Sequence, residues 1–308
     1  ILSRVVKVKV SPTKAKMGSA IKVQKKIDWW APQIGQEEYR LIKQVLDNNY
    51  PNEGEMTKLF EQKIANLVGS KHAVAVTSGT AAIFLALKAA GVGRDDEVIV
   101  PDLTFIATAN AAEMCGAKPV LADVEPETLN LDPQSFEKAI TGKTKAVIPV
   151  HVSGRGADMG SILSVAKDNG IAVIEDAAEA FTSSYKGRKL GTFGNAGCFS
   201  FSPNKTVTTG QGGAIVTDDD TFHVRLRELK DQGRAVRGTG GDDLHRSIGY
   251  NFKLTNLQAA VGIGQLNYLQ SRVERQVRTC RLYEENLGGI DGLSLLKPER
   301  YADIRKAR

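Results

Sequence analysis

The chain has 308 residues, 42% hydrophobic and 25% charged, a globular composition with material for one large core or two domains. Its net charge of +6 is unevenly placed: eight basic residues and no acid fall in the first 26 positions, which leaves −2 for the rest. A near-neutral body behind a short basic head argues against nucleic-acid binding, since such heads are ordinarily solvated tails.

The head, residues 1–27, reads as a basic leader. It begins without Met, and Met17-Gly18-Ser19 has the look of an engineered junction or an internal start. From there the periodicity predicts helices over 36–48 (Ile42, Val45, Leu46) and 56–68 (Leu59, Phe60, Ile64, Leu67). Strands and helices then alternate: strand 73–77, helix 80–90, strand 97–100, helix 105–115, strand 119–122, helix 133–140. Strand 146–150, helix 158–169 and strand 171–175 continue the rhythm. Short apolar strands separated by helices indicate a mainly parallel sheet covered on both faces. Two further strands, 198–201 and 214–217, flank a Ser/Thr/Gly-rich loop, and helix 219–231 follows. Residues 233–243 read as a flexible loop. A long helix is expected from about 255, opened by the capping box Thr255-x-x-Gln258.

Cys115, Cys198 and Cys280 are odd in number and lack CxxC spacing, so neither a disulfide framework nor a metal site is expected. They suit a reducing cytosol, and a cytoplasmic location is expected. There is no apolar run of ~18 residues to span a membrane.

Three features carry chemistry. Lys205 lies in Phe199-Ser200-Phe201-Ser202-Pro203-Asn204-Lys205, and Asp176 ends the apolar strand upstream of it. A strand-end carboxylate followed by a lysine in a Gly-rich loop is what pyridoxal phosphate (PLP) requires. The lysine carries the aldehyde as a Schiff base, and the carboxylate keeps the pyridine nitrogen protonated. Taken singly, Lys205 reads as a solvated lysine and Asp176 as a turn residue. The third feature, Thr77-Ser78-Gly79-Thr80, joins a buried strand to a helix. It reads either as a phosphate cradle, with the helix dipole assisting, or as an ordinary N-cap. Phe105, at the next strand end, reads as a stacking surface for a ring or as core packing. Glu179 reaches the ring hydroxyl or is simply exposed. Ser200 offers a further phosphate hydrogen bond, and Gly210-Gln211-Gly212-Gly213 permits the crowded backbone.

In order along the chain, SGTAAI, PDLTFIATANA, EDAAEA, FSFSPNK, TTGQGGAIVT and GYNFKLTNLQAAVGIGQL resemble the blocks of the sugar-nucleotide aminotransferases of DegT/StrS type. These are fold-type I, aspartate-aminotransferase-like PLP enzymes, and the resemblance runs from Trp29 to Leu269. It implies a three-layer α/β fold. A large PLP-binding domain over 28–270 would lead into a smaller C-terminal domain, of which 271–308 would be the start, the rest being cut off at Arg308. It also implies Lys205 as the Schiff-base lysine, Asp176 on the ring nitrogen and Glu179 on the ring hydroxyl. Phe105 would lie over the ring, with Gly79, Thr80 and Ser200 on the phosphate. Asn251 would reach the phosphate of a neighbouring subunit, so a homodimer is expected.

One departure is that an aromatic usually stands where Ser153 does, so the substrate pocket is expected to differ. Members that replace the lysine by His perform dehydration, which Lys205 argues against. The expected reaction is amino transfer from glutamate to a nucleotide-linked keto-deoxy sugar. Arg234 and Arg237 are candidates for the substrate diphosphate. The alternatives are a fold-type I transaminase of a non-nucleotide substrate, or a non-catalytic truncated PLP-fold protein.

Overall fold

In the computed structural model, residues 31–234 and 244–296 are described, so the basic leader 1–27, most of the loop 233–243 with Arg237, and residues 297–308 lie outside them. Described residues from Pro32 onward belong to one compact unit. Two helices come first, α1 (Gln36–Asp47) and α2 (Glu55–Val68). Then follow β1 (His72–Val76), α3 (Gly79–Ala89), β2 (Glu97–Pro101), α4 (Ala107–Met114), β3 (Lys118–Ala122), α5 (Pro133–Ala139) and β4 (Thr144–Val147). Next come α6 (Met159–Asp168), β5 (Ala172–Asp176), a hairpin of β6 (Ser184–Tyr185) and β7 (Arg188–Lys189), β8 (Ala196–Ser200) and β9 (Gly213–Thr217). The last are α7 (Asp220–Lys230), α8 (Asn256–Leu266) and α9 (Leu269–Leu287).

Local chemistry sets most of these limits. Ser78, Asp132, Asp158 and Asp219 each accept a backbone N–H in the first turn of α3, α5, α6 and α7. Pro133 stands in the first turn of α5, where its missing N–H costs nothing. Thr255 and Gln258 form the expected reciprocal box at the start of α8.

The sheet of the described residues has the order β1-β9-β8-β5-β4-β2-β3. The pairs β8–β5, β5–β4, β4–β2 and β2–β3 are parallel, whereas β9 runs antiparallel to both β1 and β8. Each strand feeds two cores by simple alternation. Ala73 and Ala75 face a core with Phe60, Ile64, Phe136, Phe199 and Phe201, while Val74 and Val76 face one with α3 and Leu226. The result is three layers, helix on sheet on helix. In α3 every residue from Ala81 to Leu87 is buried, as an all-round apolar helix must be. Phe60 crosses Phe201 edge to face at 5.2 Å, and burying each such ring contributes roughly 1.5–3 kcal/mol.

Three expectations need correction, and one hairpin had no sequence signal. The strand expected over 146–150 ends at Val147, and Val150 rejoins β5 by a single bridge opposite Asp176. Pro149 between them has no N–H to give to a ladder. The single long helix from 255 is two. Asn267 and Tyr268 donate to Gly264 and Gln265, three residues back, which tightens the turn and separates α8 from α9. Helix α9 covers residues 270 and 271, where the smaller C-terminal domain is expected to start. Leu46, Leu59 and Leu67 keep helical spacing but are exposed, so the buried stripes are narrower than the pattern. The β6–β7 hairpin was not foreseen, because its turn is Lys186-Gly187, both at positive φ, rather than Asn-Gly.

Candidate active site

Ligand crevices of α/β sheets lie beyond the carboxyl ends of the parallel strands. The sequence places Asp176 at the end of β5, and Ser200 at the end of β8. Register does the rest: Asp176 pairs with Cys198, Ser200 with Gly213, and Gly213 with Val76, which opens into Ser78-Gly79-Thr80. Four distant stretches of chain thus meet on one edge.

The cradle is tight. Ser78 caps α3, accepting the Ala81 N–H at 3.1 Å. A Cβ on Gly79 would lie 2.9 Å from the Ser200 Cβ and 3.2 Å from its hydroxyl, so glycine is required for this approach. The Ser200 hydroxyl is 3.1 Å from that of Ser202. Thr80 follows Gly79 in the first turn of α3. Hydroxyls at a helix N-terminus are the donor set that a phosphate dianion takes.

Asp176 is buried. One carboxylate oxygen accepts the Thr108 hydroxyl at 2.7 Å, and the other accepts the Ala178 N–H at 3.1 Å. Burial pushes its pKa up, and the bonds from Thr108 and Ala178 and the charge of Lys205 only partly offset this. A carboxylate in that condition gains from a cationic N–H partner, which is what a protonated pyridine nitrogen offers. Lys205, whose side chain is 19% exposed, places its amine 3.3 Å from Glu179. The other Glu179 oxygen accepts the Ser153 N–H at 2.7 Å. Ser153 is left-handed (φ 52°), a conformation that aims this N–H at the carboxylate. Lysine, buried carboxylate and cradle fit PLP.

Phe105 is 78% exposed, which excludes core packing. Asn251 is not brought to this group. It lines a separate cavity with Thr77, Asp231, Arg234 and Lys253.

Sequence reasoning missed Thr108, His151 and Glu175. Thr108 bonds both Thr104 and Asp176, tying the loop after β2 to the carboxylate. The only signal was the Thr-x-x-x-Thr spacing. His151 Nδ1 accepts the Ala157 N–H at 3.2 Å, so Nε2 carries the proton and donates to Glu175 at 3.0 Å. Glu175 also accepts from Gly191, Phe193 and Gly194, fastening that loop beneath β5. Cys198 lies under the site as a thiol, its pKa raised by burial and then by Asp176 and Glu175.

Among known proteins, GDP-perosamine synthase of Caulobacter vibrioides is 41% identical over 273 residues, 87% of this chain and 71% of the relative. The structure of DesI in the presence of its TDP-sugar product is similar with a TM-score of 0.81 and 34% identity, over 88% of this chain and 68% of that one. The PLP form of Spr1654 from Streptococcus pneumoniae gives a TM-score of 0.85 at 26% identity, over 92% and 77% of the two chains. The model of the DegT/DnrJ/EryC1/StrS aminotransferase family matches residues 32–306, and the chain belongs to that PLP-dependent family.

Proposed function

We propose that the protein is a PLP-dependent aminotransferase that converts the ketone of a nucleotide-linked keto-deoxy sugar to an amine, with glutamate as donor. The observation that carries this reading is the convergence of Lys205, Asp176 and the Gly79–Ser200 cradle on one sheet edge. The substrate class is supported by the relatives, one of them named for GDP-perosamine and another crystallised with a TDP-sugar product.

When bound, PLP supplies an aldehyde that carries the amino group and a ring that delocalises an electron pair. The residues do the rest. Gly79, Thr80 and Ser200 hold the phosphate. Asp176 holds the proton on the ring nitrogen, oriented by Thr108. Glu179 meets the ring hydroxyl, oriented by the Ser153 N–H. Phe105 would cover one face of the ring. Lys205 would hold the cofactor covalently, and its amine would serve as the acid and base that moves the proton at the substrate carbon. Arg234 is a candidate for the diphosphate of the nucleotide.

Asn251 lines a cavity that its own Lys205 does not, and this supports a homodimer in which it serves the phosphate of the neighbouring site. A cytoplasmic location accords with the reduced cysteines. No helix among the described residues is long and apolar enough to cross a membrane.

The test is to incubate the protein with glutamate and a panel of nucleotide keto-sugars and read the products by mass spectrometry. One sugar should gain an amine, and borohydride should fix the cofactor to the peptide containing Lys205. Amination of simple keto compounds but of no nucleotide sugar would favour the non-nucleotide reading. Labelling at another lysine would refute the assignment of Lys205.

A further inference from the structure

Asn251 stands on a four-residue segment, Tyr250–Lys253, that belongs to no helix or main strand. Hydrogen bonds hold it on two sides. Toward α7, the Tyr250 N–H donates to Leu229 (2.7 Å), Gln232 N–H to Tyr250 (3.0 Å) and Phe252 N–H to Lys230 (3.0 Å). Toward β1, Thr77 N–H donates to Phe252 (3.2 Å), and Val76 bridges Lys253. Thr77 leads directly into the phosphate cradle of the same chain.

Asp231 closes this arrangement twice. Its backbone bridges Asn251, and its carboxylate pairs with the ammonium of Lys253. Those side chains are 10% and 24% exposed, so the pair is shielded far more than an ordinary surface pair. Behind it, Lys230 is 2% exposed and donates to Glu53 at 2.6 Å and to the Ala75 carbonyl at 3.1 Å, fixing the end of α7 to β1. Asn251 itself is exposed and faces a cavity of about 920 Å³.

We propose that Lys253 and Asp231 are positioning residues for the cofactor phosphate of the neighbouring subunit. Their ion pair ties Lys253, two residues beyond Asn251, to Asp231, whose backbone bridges Asn251, and locks the segment between α7 and β1. The amide then projects from a fixed backbone, and its hydrogen bond is made without first ordering the segment. This rests on the shared-site reading above.

The experiment measures PLP affinity and dissociation rate for Asn251→Ala, Lys253→Met, Asp231→Asn, the Lys253→Met/Asp231→Asn double variant, and Lys253→Arg. Melting of each apoprotein is followed in parallel. Asn251→Ala should weaken PLP by ~30-fold and each pair variant by ~10-fold, a tenfold change being about 1.4 kcal/mol. The double variant should be no weaker than either single one, because both remove the same interaction. Lys253→Arg should bind as the wild type, and apoprotein melting should not follow the affinities. Wild-type affinity in Asn251→Ala would sink the shared-site reading and this inference with it. An impaired Asn251→Ala beside normal pair variants would sink the inference alone. A weak Lys253→Met beside a normal Asp231→Asn would show that Lys253 meets the phosphate itself, which also overturns it.

Discussion

Asp176 and Glu61 are both buried carboxylates, yet their environments push them in opposite directions. Glu61, on α2, accepts both arms of Arg227 at 2.8 and 2.6 Å, Lys230 at 3.4 Å and the Ala75 N–H at 2.8 Å. Burial pushes its pKa up, but the attraction of Lys230 and Arg227 and the hydrogen bonds outweigh it, and the net shift is downward. Asp176 receives two neutral donors, and with only the nearby charges of Lys205 and His151 to help them, burial wins. The difference separates a structural charge from a working one. Glu61 is compensated within the chain and clamps α2, β1 and α7 together. Asp176 makes no ion pair among the described residues, and on the proposed reading the cation it awaits is the ring nitrogen; the fold bears the cost of desolvating it.

The largest expected effect tests the structural half of this contrast. Glu61→Ala takes from buried Lys230 and half-buried Arg227 the carboxylate they share, leaving them Glu53, and should cost roughly 3–5 kcal/mol of stability. Urea denaturation reads it directly. A loss under ~1 kcal/mol would show that the cluster relaxes to water and that Glu61 clamps nothing.

Next comes the working half. Asp176→Asn keeps the size and removes the charge that holds the ring proton. PLP should still bind, while turnover falls at least ~10²-fold, about 3 kcal/mol of transition-state stabilisation. A near-wild-type rate would mean that this carboxylate does not meet the ring nitrogen.

The same substitution should act oppositely on the apoprotein. A carboxylate with a raised folded pKa binds its proton more tightly when folded. Its contribution to stability is therefore lost as pH rises from the unfolded value near 4 through the folded one. Above that window Asp176→Asn should stabilise the apoprotein by on the order of 1 kcal/mol, with the gain vanishing below about pH 4. Glu61 has the reverse sign: its contribution is present above the unfolded pKa and fades as pH falls through the lowered folded value. If apo Asp176→Asn melts below the wild type at neutral pH, the contrast between the two carboxylates is wrong.

The smallest effect is at Thr108. Thr108→Val removes the hydroxyl that orients Asp176 and should lower turnover by ~5–10-fold, about 1 kcal/mol for one hydrogen bond. A stability loss with unchanged turnover would reduce Thr108 to a packing residue.

Much of this was legible before folding. Lys205, Asp176 and the Ser78–Thr80 turn, the proposed cofactor residues, stand out because polar residues at strand ends and helix starts are local features. Thr108, His151 and Glu175 did not. Their partners lie 68, 24 and up to 24 residues away, and nothing in a threonine on a helix or a glutamate in a strand names a distant partner. The β6–β7 hairpin escaped because Lys186-Gly187 is a weak turn signal. The break at Asn267–Tyr268 escaped because no Pro or Gly marks it.

What the sequence determined by itself is the order of layers, the capped helices and the chemical types at the site, since periodicity, N-caps and strand-end polar residues act over a few positions. Tertiary structure alone decided which carboxylate is neutralised and which is left needing a partner. Arg227 and Lys230 reach Glu61 across more than 160 residues, while β5 carries Asp176 to an edge where its donors are Thr108 and Ala178. The charge state of a buried acid depends on what surrounds it in three dimensions, and that is set by sheet register rather than by neighbours along the chain.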